Sequence, residues 1–291
     1  MNFNAQAQAE DQLGDSPSPA FPTPLKPFLK WAGGKLKIAA EISAHISIKP
    51  DSRYFEPFLG AGAVFFHLRP RNAYLSDANP RLIDTFKSIR DRADLVNRYL
   101  SVHQRKHSEQ HFYETRQNFN AASRASHEQA ARFIYLNKAS FNGIYRVNTL
   151  GQFNVPFGHR AEVALPSVST IEAASLALVG VEIECVDFEA SLVRPHAGDV
   201  VYLDPPYPPL SSSAYFTHYT KERFNDLDQS RVANIAIKLR SRGCQVVISN
   251  ADTQLVRHLF NGWKIFEIDK IRWVTSGKVK HVAKELIIVS G

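Results

Sequence analysis

The stretch Val200-Val201-Tyr202-Leu203-Asp204-Pro205-Pro206-Tyr207 decides how the rest of the chain is read. Four apolar residues, two of them β-branched, make a short buried strand. The strand stops at Asp204, because Pro205 has no N–H to continue a ladder and both prolines fix φ. The same pattern recurs upstream. Arg53 to Phe55 is a short strand that runs into Gly60-Ala61-Gly62 and a helical start at Ala63 to Leu68. Ala73 to Ser76 is a second strand, ending at Asp77. Asn79 can cap the next helix, with Pro80 at its first position, where a missing N–H costs nothing. Downstream, Val232, Ile235, Ala236 and Leu239 share one face of a helix over Leu227 to Arg240, and Gly243 stops it. Gln245 to Ser249 and Glu285 to Val289 are further strands. Strands alternating with helices predict an α/β sheet with ligands at the carboxyl ends of its strands.

Residues 87–165 interrupt this alternation. They are mixed in character, helical in the first part, and hold twelve Lys/Arg against six Asp/Glu. That surplus of six supplies nearly all of the chain's +7 net charge. A solvated helical face accounts for it, and so does a module that contacts phosphates. The division expected is a polar, proline-containing leader over 1–25, a catalytic domain from 26–86 and 166–291, and an insert over 87–165. A length of 291 residues suits one core carrying such an insertion. Cys185 and Cys244 form neither a metal pattern nor a disulfide framework, so no metal is expected and a reducing cytoplasm is the simpler setting. No apolar run suits a signal peptide or a membrane span.

Four segments carry chemistry. After the Val200 strand, Asp204 can accept a hydrogen bond from one N–H of an exocyclic amine such as adenine N6, and a neighbouring backbone carbonyl can accept the other. The nitrogen lone pair, otherwise delocalised into the ring, is then aimed at a methyl donor. Tyr207 can stack on a base extruded from a duplex. A plain proline-rich turn fits the same four residues. Phe55-Glu56-Pro57-Phe58-Leu59-Gly60-Ala61-Gly62 reads as a nucleoside-binding turn without the third glycine of a dinucleotide site. Asp77 can take ribose hydroxyls there, or serve as a helix cap. Lys30-Trp31-Ala32-Gly33-Gly34-Lys35 is not a Walker A loop. Lys35 suits a ligand carboxylate with Trp31 packed on the ligand, or the segment is an ordinary turn with an exposed lysine. Asn142 to Gly158 reads as a hairpin between glycine turns, able to read base edges in a groove or simply to cover the core.

In order along the chain, these segments resemble the Dam-type, D12 class family of DNA adenine-N6 methyltransferases. The matching motifs are Trp31 to Lys35, Phe55 to Gly62, the acid in Ser76-Asp77-Ala78-Asn79, Asn142 to Gly158, Asp187-Phe188, Asp204 to Tyr207, and Phe216-Thr217-His218-Tyr219. The resemblance implies a Rossmann-like S-adenosylmethionine-dependent methyltransferase sheet with an inserted, mainly helical target-recognition domain carrying a β-hairpin. It implies cofactor contacts from Trp31, Lys35, Phe55, Gly60, Gly62, Asp77 and Asp204, with Asp187 and Phe188 holding the cofactor's adenine. Asp204, Pro205, Pro206 and Tyr207 would be catalytic. Lys30, Lys138, Asn142, Tyr145, Arg146, Asn148, Leu150, Asn154, Pro156 and Tyr219 would face double-stranded DNA. The family flips its adenine out of the helix, commonly from GATC. Many members carry a basic residue at the place of Leu150, and a leucine offers only apolar contact, for instance to a thymine methyl.

A monomer acting alone or beside a separate cognate restriction endonuclease is expected, in a prokaryotic or phage setting and away from membranes. A cytosine-C5 enzyme would need a cysteine after a proline, whereas Cys185 follows Glu184 and Cys244 follows Gly243. A cytosine-N4 enzyme shares the chemistry. An RNA or small-molecule methyltransferase would not need the basic insert, and the intact Asp204 and Trp31 segments count against a decayed DNA-binding regulator.

Overall fold

A computed structural model describes residues 24–207, 224–273 and 280–291. In chain order the elements are α1 (Ala39–Ser43), β1 (Tyr54–Glu56), α2 (Ala63–Leu68), β2 (Ala73–Asp77), α3 (Pro80–Lys106), α4 (Glu109–Ala121) and α5 (His127–Ala139). They continue with α6 (Val168–Ala177), β3 (Glu182–Cys185), α7 (Phe188–Ser191), β4 (Val200–Leu203), α8 (Asp226–Ser241), β5 (Gln245–Ala251), α9 (Gln254–Leu259), β6 (Lys264–Trp273) and β7 (Lys280–Val289). Among the described residues seven strands form one sheet in the order β3-β2-β1-β4-β5-β7-β6. The first five are mutually parallel, and β7 runs antiparallel to both its neighbours. The chain builds outward from β1 to β3, then returns to place β4 on the other side of β1. That reversal opens a crevice at the carboxyl ends of β1 and β4, where α/β sheets bind their ligands.

The strands read as apolar runs because both faces of the sheet are covered. Tyr54, Leu75, Val200, Tyr202, Val247 and Ile287 enter one buried cluster. Their strand neighbours Phe55, Tyr74, Val201, Leu203, Val246 and Ile288 enter the other, with Val232, Ala233, Ala236 and Leu239 of α8. The helix starts follow the sequence. Asn79 accepts from the Leu82 N–H with Pro80 next in line, and Asn225 forms a capping box with Asp228 at the start of α8.

Residues 87–165 share the first cluster rather than forming a core of their own. Val96, Leu100, Phe112, Phe119, Phe133 and Tyr135 are continuous with Tyr54 and Leu75 of the sheet. The helix α3 begins on the sheet with Leu82, Ile83 and Phe86 buried, loses helical geometry at Arg92 (φ −149°, ψ 60°), and resumes into the insert. The helix α5 is buried on nearly every side, so its apolar residues show no single stripe. Beyond it, the segment expected to form a hairpin contains two isolated antiparallel bridges, Ser140–Phe157 and Val147–Phe153, and none of the sheet's strands. Among the described residues no helix is long and apolar enough to cross a membrane.

Glu56 ends β1 inside this core, accepting the Tyr54 hydroxyl at 2.7 Å. Burial pushes its carboxyl up to about 8, with the Tyr54 hydrogen bond pulling the other way. A carboxyl whose folded pKa is raised holds its proton in the native state, so its contribution to stability is present at low pH and is lost as pH rises through about 8. The variant Glu56→Gln, which keeps the shape without the titration, should lose less melting temperature than the wild type between about pH 6 and about pH 9. Equal losses in thermal scans would assign the titration elsewhere.

Candidate active site

Asp204 leaves the end of β4 into a polar cluster assembled from four separate parts of the chain. Its Oδ1 accepts the Ser249 hydroxyl from β5 at 2.8 Å and lies 2.7 Å from Lys35 Nζ. Since Ser249 spends its one proton on Asp204, the 2.8 Å contact between Tyr202 Oη and Ser249 Oγ has the tyrosine donating. Lys35 is 3% exposed, donates to the Gly33 carbonyl at 2.6 Å, and lies 3.4 Å from Glu285 Oε1 on β7. The Tyr207 hydroxyl donates to the same Glu285 oxygen, and the Lys35 ammonium stands 4.7 Å from the Tyr207 ring centre. Burial pushes the Asp204 carboxyl above the usual carboxylate range, against the pull of Lys35 and Ser249. Among the described residues both hydrogen bonds to Asp204 end on Oδ1. The turn beyond is fixed by a polar relay: Asn250 donates to Gln229 Oε1 at 3.0 Å, and Gln229 donates to the Pro206 carbonyl at 2.7 Å.

On the other side of the crevice, Asp77 ends β2 and accepts the backbone N–H groups of Gly60 and Asn79, each at 3.0 Å. Burial raises its carboxyl to about 6, opposed by those N–H groups. Asn79 and not Asp77 is the cap of α3, so the cap alternative does not hold. Gly60 has φ +49°, and a Cβ there would come within 2.8 Å of the Trp31 indole, so the glycine serves a close approach by that ring. Phe55 is buried and packs on Tyr74. At the end of β3, Asp187 caps α7 by accepting the Glu189 N–H at 2.9 Å and pairs with Arg231 at 3.1 Å. Phe188 is buried against Phe58, ring centres 5.1 Å apart, under the Arg231 guanidinium.

The Asn142–Gly158 segment alternates. Tyr145, Val147, Phe153, Val155 and Phe157 point into the core, while Asn142, Leu150, Asn154 and Pro156 are exposed and Arg146 and Asn148 half-buried. Tyr145, expected to face DNA, lies on the covered side of the segment. It is 4% exposed and stacked on Trp31, ring centres 5.5 Å apart and 15° from parallel. The physical reason is the period of two, which sends the large apolar rings to the covered face. Arg146 donates to Asn154 at 2.9 Å, and Asn148 accepts the Leu150 N–H at 3.0 Å, which shapes the tip where Leu150 is 73% exposed. The Lys30 backbone is clamped by Asn137 of α5, and Lys138 follows it in sequence. A Cβ on Gly143 would meet the Lys30 side chain at 2.5 Å. Tyr219 and the rest of Phe216–Tyr219 lie outside the described residues.

Glu285, Ser249, Asn250 and Gln229 are not among the site residues expected from the sequence. The signal available was polarity inside apolar elements: Ser249 and Asn250 follow the apolar run Val246–Ile248 in β5, and both are fully buried. Polar groups in such places are kept by partners.

Comparisons with known proteins come to the same place from outside. Residues 31–274 match the profile of the D12 class N6 adenine-specific DNA methyltransferase family. The chain is similar to the Type II methyltransferase M1.LlaDCHI of Lactococcus lactis subsp. cremoris, 35% identical across 85% of this chain and 89% of that protein. It is also similar to the Type II methyltransferase M.MjaIII of Methanocaldococcus jannaschii, 35% identical across 91% and 99%. With the DNA adenine methylase of Escherichia coli (strain K12) it shares 34% identity across 89% and 93%.

Ser249→Ala should leave the Tyr202 hydroxyl without its acceptor and Asp204 without one donor. Chemical denaturation should show a loss of about 1–3 kcal/mol. An unchanged midpoint would mean that this hydroxyl relay holds neither residue.

Proposed function

The chain belongs to the D12 class N6 adenine-specific DNA methyltransferases, and from that premise we propose that it methylates an adenine flipped out of double-stranded DNA, with S-adenosylmethionine as donor. The observation that carries the mechanism is the way Asp204 is held. Lys35 and Ser249 fix Oδ1, which leaves Oδ2 to accept one N6–H. The Pro206 carbonyl is taken by Gln229, so the Pro205 carbonyl is the one beside Asp204 that can accept the other. Held this way, the amine nitrogen would present its lone pair to the methyl group that a bound donor would supply; the donor would leave as a neutral thioether, and the proton lost from the nitrogen would pass to water. The bound cofactor supplies an electrophilic methyl group on sulfur.

The residues around the crevice fit such a donor. Asp77 at the end of β2 offers acceptors for ribose hydroxyls, and Asp187 beyond β3 offers one for an adenine amino group. Trp31, Gly60 and Gly62 line the same side, and Phe55 and Phe188 act from beneath, as buried packing. Tyr207 stands next to Asp204 with its ring face toward Lys35, suited to stack on the flipped base once that contact opens. The exposed edge of residues 142–156 with Lys30 and Lys138 makes the DNA face. The lysines suit phosphates, while Asn142, Arg146, Asn148 and Asn154 suit base edges. The exposed Leu150 tip supplies apolar contact, and GATC is the first target to test. One chain with both site and reader acts as a monomer, alone or beside a cognate restriction endonuclease.

Purified protein and S-adenosylmethionine, incubated with plasmid from a host lacking adenine methylation, should leave N6-methyladenine in one short motif when the DNA is sequenced directly. No modified adenine would overturn the proposal. Asp204→Ala should abolish the transfer while DNA binding persists, and retained turnover would remove Asp204 from its role. Because the acceptor must be ionised and its carboxyl is raised, the wild-type rate should fall with decreasing pH at a value above the ordinary aspartate range. Arg146→Ala should weaken DNA binding or blur the methylated motif, and an unchanged gel-shift and motif would make the segment purely structural.

A further inference from the structure

Glu285 lies in none of the family-like motifs, yet its carboxylate is part of the site. The strand β7 runs antiparallel to β5 and sets Glu285 opposite Ala251, at the carboxyl end of the parallel strands. Glu285 is 1% exposed; its Oε1 accepts the Tyr207 hydroxyl and lies 3.4 Å from Lys35 Nζ. Lys35 has three N–H bonds to give, and three oxygens face it: Gly33 O at 2.6 Å, Asp204 Oδ1 at 2.7 Å and Glu285 Oε1 at 3.4 Å. One ammonium thus stands between the buried Glu285 and the half-buried Asp204 carboxylates, and its attraction to each moderates its hold on the other.

We infer that Glu285 is a positioning residue for methyl transfer: it shares Lys35 with Asp204 and ties down Tyr207, so that Asp204 stays a good acceptor for the adenine amino group. This rests on Asp204 being the N6–H acceptor. With the Glu285 charge gone, Lys35 settles wholly on Asp204 and drains the acceptor strength that the amine needs. Tyr207 at the same time loses the hydrogen bond that fixes its ring. Among the described residues, the ionisable groups around Asp204 are Lys35 from the 31–35 loop, Tyr54 and Glu56 from β1, Tyr202 and Tyr207 from β4 and its turn, and Glu285 from β7. The negative charge of Glu285 works to raise the Asp204 carboxyl, so its removal moves Asp204 toward lower pH.

The test compares wild type, Glu285→Gln and Glu285→Asp in single-turnover adenine methylation from about pH 5 to about pH 9, with S-adenosylmethionine binding followed by calorimetry. For Glu285→Gln the plateau rate should drop about 10- to 100-fold. Its acid limb should move to lower pH, and cofactor binding should stay within about threefold. Glu285→Asp, which keeps the charge, should recover part of the rate. An unchanged plateau, or equal losses in both variants with the acid limb unmoved, would overturn the inference and leave Glu285 a packing residue. Wild-type protein that makes no N6-methyladenine would overturn the functional reading and this inference with it. Should Glu285→Gln unfold, Tyr207→Phe removes only the hydroxyl tie; a lower plateau with the acid limb in place supports the tie, and an unchanged rate overturns it.

Discussion

Burying an ammonium costs several kcal/mol in desolvation unless carboxylates and carbonyls surround it closely. Lys35 meets that condition only because three distant parts of the chain converge on it: its own glycine loop through the Gly33 carbonyl, β4 through Asp204, and β7 through Glu285. The convergence needs the sheet to be assembled in full, with β4 beside β1 and the antiparallel β7 beside β5. Much of the site follows from it. Asp204 is oriented, Ser249 and Tyr202 relay hydrogen bonds into it, and Tyr207 is held at the mouth by Glu285.

A second set of contacts joins this chemistry to the segment proposed to face DNA. Trp31 lies between the glycine loop, where Gly60 makes room for it, and Tyr145, on which it stacks. Tyr145 in turn packs on Phe133 of α5 and on Phe153, the partner of Val147 in the antiparallel bridge. Asn137 adds a polar clamp, bonding the Lys30 N–H, the Lys30 carbonyl and the Gly143 carbonyl. The loop that carries Lys35 and the segment that carries Arg146 and Leu150 are therefore packed on one aromatic column. If the segment reads DNA as proposed, a rigid connection of this kind fixes the distance between it and the reacting base, which suits an enzyme whose rate depends on placement.

The strands and the helices capped by side chains were legible because their causes are local. The run Val200–Leu203, the Ala63–Leu68 helix, Asn79 before Pro80 and the α8 face are each fixed by residues within a few positions. Less legible was α5, whose burial on nearly all sides erases the periodicity that marks an amphipathic helix. The burial of Tyr145 was hidden for a related reason: an aromatic in a basic, amide-rich stretch suits stacking on a base, but the alternation of the segment turns it toward Trp31. The glycine of the cofactor-type turn was legible as a close approach, and the partner proved to be an indole.

By itself the sequence determined the α/β alternation, the order of motifs that marks the family, and the acid placed at the end of each key strand, since these depend on neighbours along the chain. Tertiary structure alone decided what those acids face. Lys35 and Asp204 are far apart in sequence, and Glu285 carries no motif, so only strand order and the antiparallel direction of β7 could bring them within an ion-pair distance. The reason is physical: a motif specifies a local backbone shape, whereas the charge a buried group feels is set by whatever the packing places beside it.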